Sequence, residues 1–185
     1  FLQEKVDGSQ FGFGVNENGE LVARTHHTHI EFAHVPKLFM EAVHYLAKIK
    51  DVILSYPPDT YFYCEYLWKP KHNTLSYQRI PKNHLVLFDA IINGNWATRD
   101  VLEDMAVKLD IDIIPQYYVG QAGVDTIKQY LEMESFLGGE KVEGVVIKNY
   151  NQTVLLGPTV FPLFTKYVQE GFKERNSKEW NNDKD

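Results

Sequence analysis

The sequence predicts an α+β domain of mostly antiparallel sheets with flanking helices. Short alternating or glycine-punctuated runs read as strands over residues 1–24, 60–67, 84–92 and 143–149. Stretches with apolar residues at helical spacing are interspersed among them without a regular β-α-β rhythm, which argues against a parallel doubly wound sheet. The composition, 44% hydrophobic and 24% charged, is that of a globular chain rather than a disordered one. At 185 residues the chain suffices for one domain with a substantial core, and no internal repeat or linker-like stretch divides it.

The elements follow in order. Lys5-Val6-Asp7-Gly8 is a strand end and turn; Phe11 and Phe13 alternate with glycines; Asn16-Glu17-Asn18-Gly19 is a hairpin turn into Leu21-Val22-Ala23-Arg24. Leu38, Phe39, Ala42, Val43, Leu46 and Ile49 predict a helix over 35–49, with Pro36 in its first turn. Two strands follow, Thr60–Leu67 and His84–Ile92, the second ending at an Asn93-Gly94 turn. Thr98 is a good N-cap for a helix through Leu109. Residues 111–119 read as extended around Pro115, and Asp125–Leu137 as a helix stopped by Gly138-Gly139. Glu143–Asn149 is a strand, Val160–Phe172 a strand or a strand-to-helix segment, and the polar tail from Lys173 is expected to fray.

The bulk charge bounds the function. A net charge of −6 sits awkwardly with phosphate binding, yet Lys69, Lys71, His72, Arg79 and Lys82 fall within one short segment. With Tyr77, that segment reads as a surface loop or as a basic, aromatic edge for a nucleic-acid strand. The single cysteine, Cys64, excludes an intramolecular disulfide framework and a multi-cysteine zinc site, and fits a reducing, cytoplasmic setting. No apolar run has the length of a membrane span, no secretory signal pattern is visible, and no obligate protein partner is evident. His26, His27 and His29 invite a metal reading, but a third ligand at a recognisable spacing is missing, and a polar loop is the alternative.

Four segments carry chemistry in order: Glu4-Lys5-Val6-Asp7-Gly8, Phe62-Tyr63-Cys64-Glu65-Tyr66-Leu67, Leu85-Val86-Leu87-Phe88-Asp89 and Val142-Glu143-Gly144-Val145-Val146-Ile147-Lys148. A lysine before an acidic residue and a glycine turn is placed as a covalent nucleophile, or is simply an exposed strand lysine. Lysine is almost wholly protonated at neutral pH, and neighbouring cations favour the neutral form an attacking amine needs. Lys148 and Lys166 are the candidates for that charge. Strict alternation would put Glu143 and Lys148 on opposite faces of their strand unless a bulge intervenes.

This ordered set resembles the covalent nucleotidyltransferase superfamily, which includes ATP-dependent RNA and DNA ligases and mRNA capping enzymes, and within it most closely the RNA ligases. The resemblance covers Lys5 to about Glu174. It implies the nucleotidyltransferase fold, two sheets flanking a nucleotide cleft, over residues 1–174, with a polar tail over 175–185. Since family members carry a segment upstream of the lysine, it also implies a trimmed N-terminus.

By resemblance Lys5 is the nucleophile, Glu143 stands near the catalytic metal, and Lys148 and Lys166 bind phosphate. Glu65 contacts the ribose, Phe88 stacks on adenine, Arg24 lies near the nucleotide and the RNA 5′-phosphate, and Glu4 joins the nucleotide site. The implied cofactors are ATP and Mg2+, with Mn2+ able to substitute. The implied partner is RNA with 5′-phosphate and 3′-hydroxyl ends. A DNA ligase, a capping-type enzyme and a binding module without catalysis are the alternatives. The sequence departs from the family at Phe164, where a second lysine is usual, and at Asp7 and Gln10, where phage double-strand-sealing RNA ligases carry His and Asn.

Overall fold

The computed structural model of the protein describes residues 1–156 and 159–173; the predicted tail at 175–185 lies outside them. The chain forms two compact units. The first comprises Phe1–Asp7, Pro70–Arg79 and the chain from Pro115 onward; the second comprises Gly8–Lys69 and Ile80–Ile114.

The first unit is built on a four-stranded antiparallel sheet in the order β10-β9-β1-β8. Its strands are β1 (Leu2–Lys5), β8 (Gln116–Tyr118), β9 (Gly144–Leu156) and β10 (Thr159–Val168). Leu2 and Val145 on one face pack with Leu131 of helix α4 (Val124–Leu131), and Tyr117, Tyr118, Ile127, Tyr130 and Ile147 surround them. The rings of Tyr117 and Tyr130 stack at 5.7 Å, nearly parallel.

The second unit holds the larger core. Its sheet runs β3-β2-β4-β5-β6, with β7 added in parallel to β5. The strands are β2 (Ser9–Val15), β3 (Leu21–Thr25), β4 (Thr60–Tyr66), β5 (Leu85–Ile92), β6 (Asn95–Trp96) and β7 (Asp112–Ile113). Alternation sends Phe11, Phe13, Phe62, Cys64, Tyr66, Leu85 and Leu87 to one face. There they are buried with residues from α1 (Met40–Lys48), α2 (Lys50–Leu54) and α3 (Arg99–Lys108). Asn93 and Gly94 both take positive φ, 50° and 75°, the geometry of a tight hairpin turn between β5 and β6.

Several boundaries differ from expectation, each for a physical reason. The helix predicted to end at Ile49 bends there and continues as α2, because Ile53 extends the apolar spacing of Leu46 and Ile49 and is fully buried. Thr98 stands at the N-cap of α3, but its side chain makes no capping bond; Arg99 instead reaches the Ile114 carbonyl and the Glu103 carboxylate. The extended stretch 111–119 splits at Pro115 into β7 and β8, which join different sheets.

Helix α4 stops at Leu131, not Leu137. Residues 132–142 fold back on themselves, pairing Glu134 with Lys141, and Gly138 and Gly139 supply positive φ within the fold-back. β9 runs to Leu156, well past Asn149, because β10 pairs along its length. Pro162, which has no N–H to give, sits at the register shift on the edge strand β10, and a helical turn over 170–173 follows that strand.

Gly14 marks the tightest approach in the second sheet, since a Cβ there would lie 2.0 Å from the Thr60 carbonyl oxygen. Gly14→Ala should therefore destabilise the protein by about 1–3 kcal/mol, the range for overpacking, in urea unfolding. An unchanged midpoint would contradict this packing.

Candidate functional site

Strand register assembles the chemistry of the first unit. Lys5 lies opposite Gly144, Val146 lies opposite both Gln3 and Lys166, and Lys148 lies opposite Phe164. Directly opposed residues share a face, so Lys5, Lys148 and Lys166 project from one side of the sheet. Phe164, standing where the family usually carries a lysine, is on that side too. Lys148 is buried, whereas Lys166 is exposed.

Glu143 reaches the same side because it precedes β9. It occupies a bend, outside the alternation that would have turned it away. Its carboxylate accepts the Lys5 ammonium, with Lys5 Nζ 2.6 Å from Oε1 and 2.7 Å from Oε2. The carboxylate side chain is only 5% exposed against 24% for Lys5. Burial pushes the Glu143 carboxyl up to about 7, against the pull of the Lys5 charge and hydrogen bond; Asp7 raises it further and Lys166 lowers it. Glu143 thus changes charge near neutrality while touching the candidate nucleophile.

Asp7, two residues beyond Lys5, is a buried anchor. Its carboxylate accepts the backbone N–H groups of Thr74 and Leu75, both at 2.8 Å, and the Asn73 amide at 3.3 Å. Its own N–H donates to the Tyr77 hydroxyl at 2.8 Å. Burial, together with the charges of Asp7, Glu4 and Glu143, raises the Tyr77 pKa above the ordinary phenol value. These bonds tie segment 70–79 to the end of β1. Sequence reading singled out this segment for its cations and missed this role, although the Asp-Gly pair beside the lysine was its visible signal.

Glu4 alternates to the opposite face from Lys5. There its carboxylate is buried and accepts the Tyr117 and Ser135 hydroxyls and the Phe136 N–H. Burial raises its pKa, partly offset by those hydrogen bonds. The structure therefore places Glu4 in the support beneath the sheet, apart from the lysine face.

The remaining predicted residues belong to the second unit. Glu65 and Tyr63 share the face of β4 turned away from the core. A bulge in the β4–β5 pairing between Tyr63 and Cys64 leaves Phe88 as the extra residue of β5. The Phe88 ring lies 6.4 Å from that of Tyr63, which stacks on Trp96 at 5.8 Å. Gly8 packs on the Glu65 side chain, where a Cβ would come 2.7 Å from its Cγ. Arg24 stands opposite Gly12 on β3, giving its Nε to the Thr25 carbonyl and an Nη2 hydrogen to that of His26. A pocket of about 210 Å³ opens beside it, lined in part by Gly12, Arg24, His29, Tyr61 and Tyr63.

The five cations of segment 69–82 divide between the units, Lys69 and Lys82 belonging to the second. Lys82 pairs with Asp110, Lys69 lies over the Trp68 ring at 4.6 Å, and Arg79 over the Phe136 ring at 5.2 Å. Among the described residues no three His, Cys, Asp or Glu side chains cluster as a metal cage. His26 and His27 approach each other at 3.3 Å through their Nδ1 atoms, both exposed. Glu143 offers a carboxylate of the kind that suits a hard divalent ion, and magnesium is commonly held by one or two carboxylates with waters and phosphate. No helix among the described residues is long and apolar enough to cross a membrane.

Two tests follow from these contacts. Asp7→Ala leaves two buried N–H groups without an acceptor and should cost about 2–4 kcal/mol, with faster amide exchange across 73–75; exchange at the wild-type rate would refute the anchor. For Glu143, a folded pKa near 7, above an unfolded value of 4.5, means that the folded state holds the extra proton between those values. This group's contribution to stability is therefore fully present below pH 4.5 and lost as pH rises through about 7. The wild-type minus Glu143→Gln difference in unfolding free energy should fall over that window and level off above it; a flat difference would refute the shift.

Comparison with known proteins adds the family. Residues 1–167 match the family model described as RNA ligase. No curated protein matches the chain in sequence. Solved structures of an RNA ligase from Naegleria gruberi share the fold. An apo variant superposes with a TM-score of 0.68 at 11% identity, covering 96% of this chain and 51% of that one. A variant with ATP and manganese gives 0.66 at 11%, covering 95% and 51%. The protein with pyrophosphate gives 0.66 at 13%, covering 96% and 51%. This chain therefore spans about half the length of those chains. With the family model covering nearly its whole length, the chain belongs to the RNA ligase family.

Proposed function

We propose that this chain carries the adenylylating centre of an ATP-dependent RNA ligase. The observation that supports it best is the contact of Lys5 with the buried Glu143 carboxylate, on the sheet face that also bears Lys148 and Lys166. The Naegleria relatives solved with ATP and manganese and with pyrophosphate fit a nucleotide-consuming reaction of this kind.

In the proposed first step the Lys5 ammonium gives up a proton and its nitrogen attacks the α-phosphorus of ATP. A P–N bond forms, the bond to the bridging oxygen breaks, and pyrophosphate leaves with the electron pair. Ionised Glu143 at 2.6 Å is placed to take that proton. Lys148 and Lys166 supply positive charge for the phosphate oxygens. Glu65 would accept ribose hydroxyls, Phe88 would stack on the adenine, and Arg24 would contact phosphate.

Glu143, with waters and ATP phosphates, would hold magnesium or manganese; the ion would stabilise the charge that builds on the phosphates. In the second step an RNA 5′-phosphate oxygen attacks the phosphorus of the lysyl-adenylate, forming a 5′–5′ pyrophosphate linkage and freeing Lys5. In the third, a 3′-hydroxyl attacks the RNA 5′-phosphorus, forming the phosphodiester and releasing AMP. Glu4 would serve this centre by holding β1 through its carboxylate beneath the sheet, while its backbone, next to Lys5, would lie beside the bound nucleotide.

The chain incubated with ATP labelled at the α-phosphate and magnesium should retain label through denaturing electrophoresis. Lys5→Ala should abolish it, and Glu143→Ala should reduce its rate about 100-fold or more. Equal labelling from GTP, or label persisting in Lys5→Ala, would defeat the proposal. Comparing nicked RNA with nicked DNA then assigns the polymer.

A further inference from the structure

The pocket of the second unit lies on the sheet face away from the core and beside its edge strand β3. Its walls come from the strand pairing. Gly12 is flanked by Arg24 on β3 and by Tyr63 on β4, and Gly14 by Val22 and Tyr61 in the same way. Glycine at position 12 keeps the floor low, since a Cβ there would come 3.2 Å from the Arg24 side chain. The result is a shallow slot with two tyrosines along one wall and an arginine on the other.

Its polarity is one-sided. The Asp59 and Glu17 carboxylates lie near the Tyr61 hydroxyl and raise its pKa after burial does, so an anion is disfavoured at that end. Arg24 and His29 stand at the other end. Arg24 spends Nε and one Nη2 hydrogen on the Thr25 and His26 carbonyls, its charge acts on the Tyr63 hydroxyl, and its Nη1 makes no hydrogen bond among the described residues. At about 210 Å³ the slot falls below the 300–1,000 Å³ of clefts that enclose a whole small-molecule ligand. It suits one flat base with its phosphate outside.

We propose that this slot is a subsite for one unstacked nucleotide of the RNA strand. The base lies against Tyr61 and Tyr63, and the phosphate faces Arg24 and His29. Aromatic side chains beside a single arginine form the usual platform for an unpaired base, whereas a paired base presents no open face to stack on. The inference rests on the RNA reading above and deepens it, because it favours an unpaired or splayed end over a fully stacked duplex.

The test is the affinity of the protein for a short fluorescent single-stranded oligoribonucleotide with a 5′-phosphate, measured by anisotropy. Tyr61→Ala should weaken binding about tenfold, and Tyr61→Phe should stay within about twofold of wild type, because the ring and not the hydroxyl stacks. His29→Ala, at an exposed position, should weaken binding of the phosphorylated strand more than that of its dephosphorylated form. A blunt RNA duplex should be bound equally by Tyr61→Ala and wild type.

Unchanged affinity in both Tyr61→Ala and His29→Ala, or equal losses in Tyr61→Ala and Tyr61→Phe, would overturn the subsite. So would a rise in the ATP concentration needed for self-labelling by Tyr61→Ala with RNA affinity intact, since the slot would then serve the nucleotide cofactor. Self-labelling of the wild type with ATP is read separately. Its failure would sink the adenylylation reading, while the RNA affinities would still decide the slot.

Discussion

The first unit depends on the alternation of one four-residue strand. β1 lies between β9 and β8, so both of its edges are committed to hydrogen bonds and its side chains have only two directions. Glu4 goes down into a network with Tyr117, Ser135 and Phe136, and Lys5 goes up to meet Glu143. A slip of one residue would exchange them, burying an ammonium among those partners and removing Lys5 from the lysine face. The buried Glu4 network makes that slip costly. It is a register lock as much as a source of stability.

The pair above the sheet is tuned by opposing terms. Taking Glu143 out of water favours its neutral form; Lys5 and Lys166 favour its charged form, and Asp7 opposes them. The outcome near neutrality is what a group needs if it is to accept a proton from the lysine and still hold a divalent ion when ionised. Geometry gives Glu143 this place only because the chain bends before β9 begins. A side chain one position further, at Gly144, would stand opposite Lys5 but would bring its Cβ to 2.2 Å from the Tyr167 carbonyl oxygen of β10.

Much of this was legible in the sequence. Alternation in Thr60–Tyr66 and Leu85–Ile92, the Asn-Gly turn after them, and the order of Lys5, Glu65, Phe88, Glu143 and Lys148 were enough for the fold class and the family. Boundaries failed where long-range contacts overrode local pattern. Residues 132–137 carry apolar spacing that reads as helix, yet the Glu4 carboxylate captures Ser135 and Phe136 and turns the chain back. The loop at 70–79 looked like a row of exposed cations, while its place is set by Asp7, more than sixty residues away.

Local chemistry thus settled which residue types were present and at what spacing, because periodicity, turn residues and motif order are properties of neighbouring positions. Which of them meet was decided by pairing across distance. Lys5 touches Glu143 across a separation of 138 residues, and Phe164 comes to lie opposite Lys148. The aromatic slot beside Arg24 exists because Gly12 and Gly14 fall between particular residues of β3 and β4. No local rule specifies such register; burial of the core face and satisfaction of every backbone hydrogen bond select it from the alternatives.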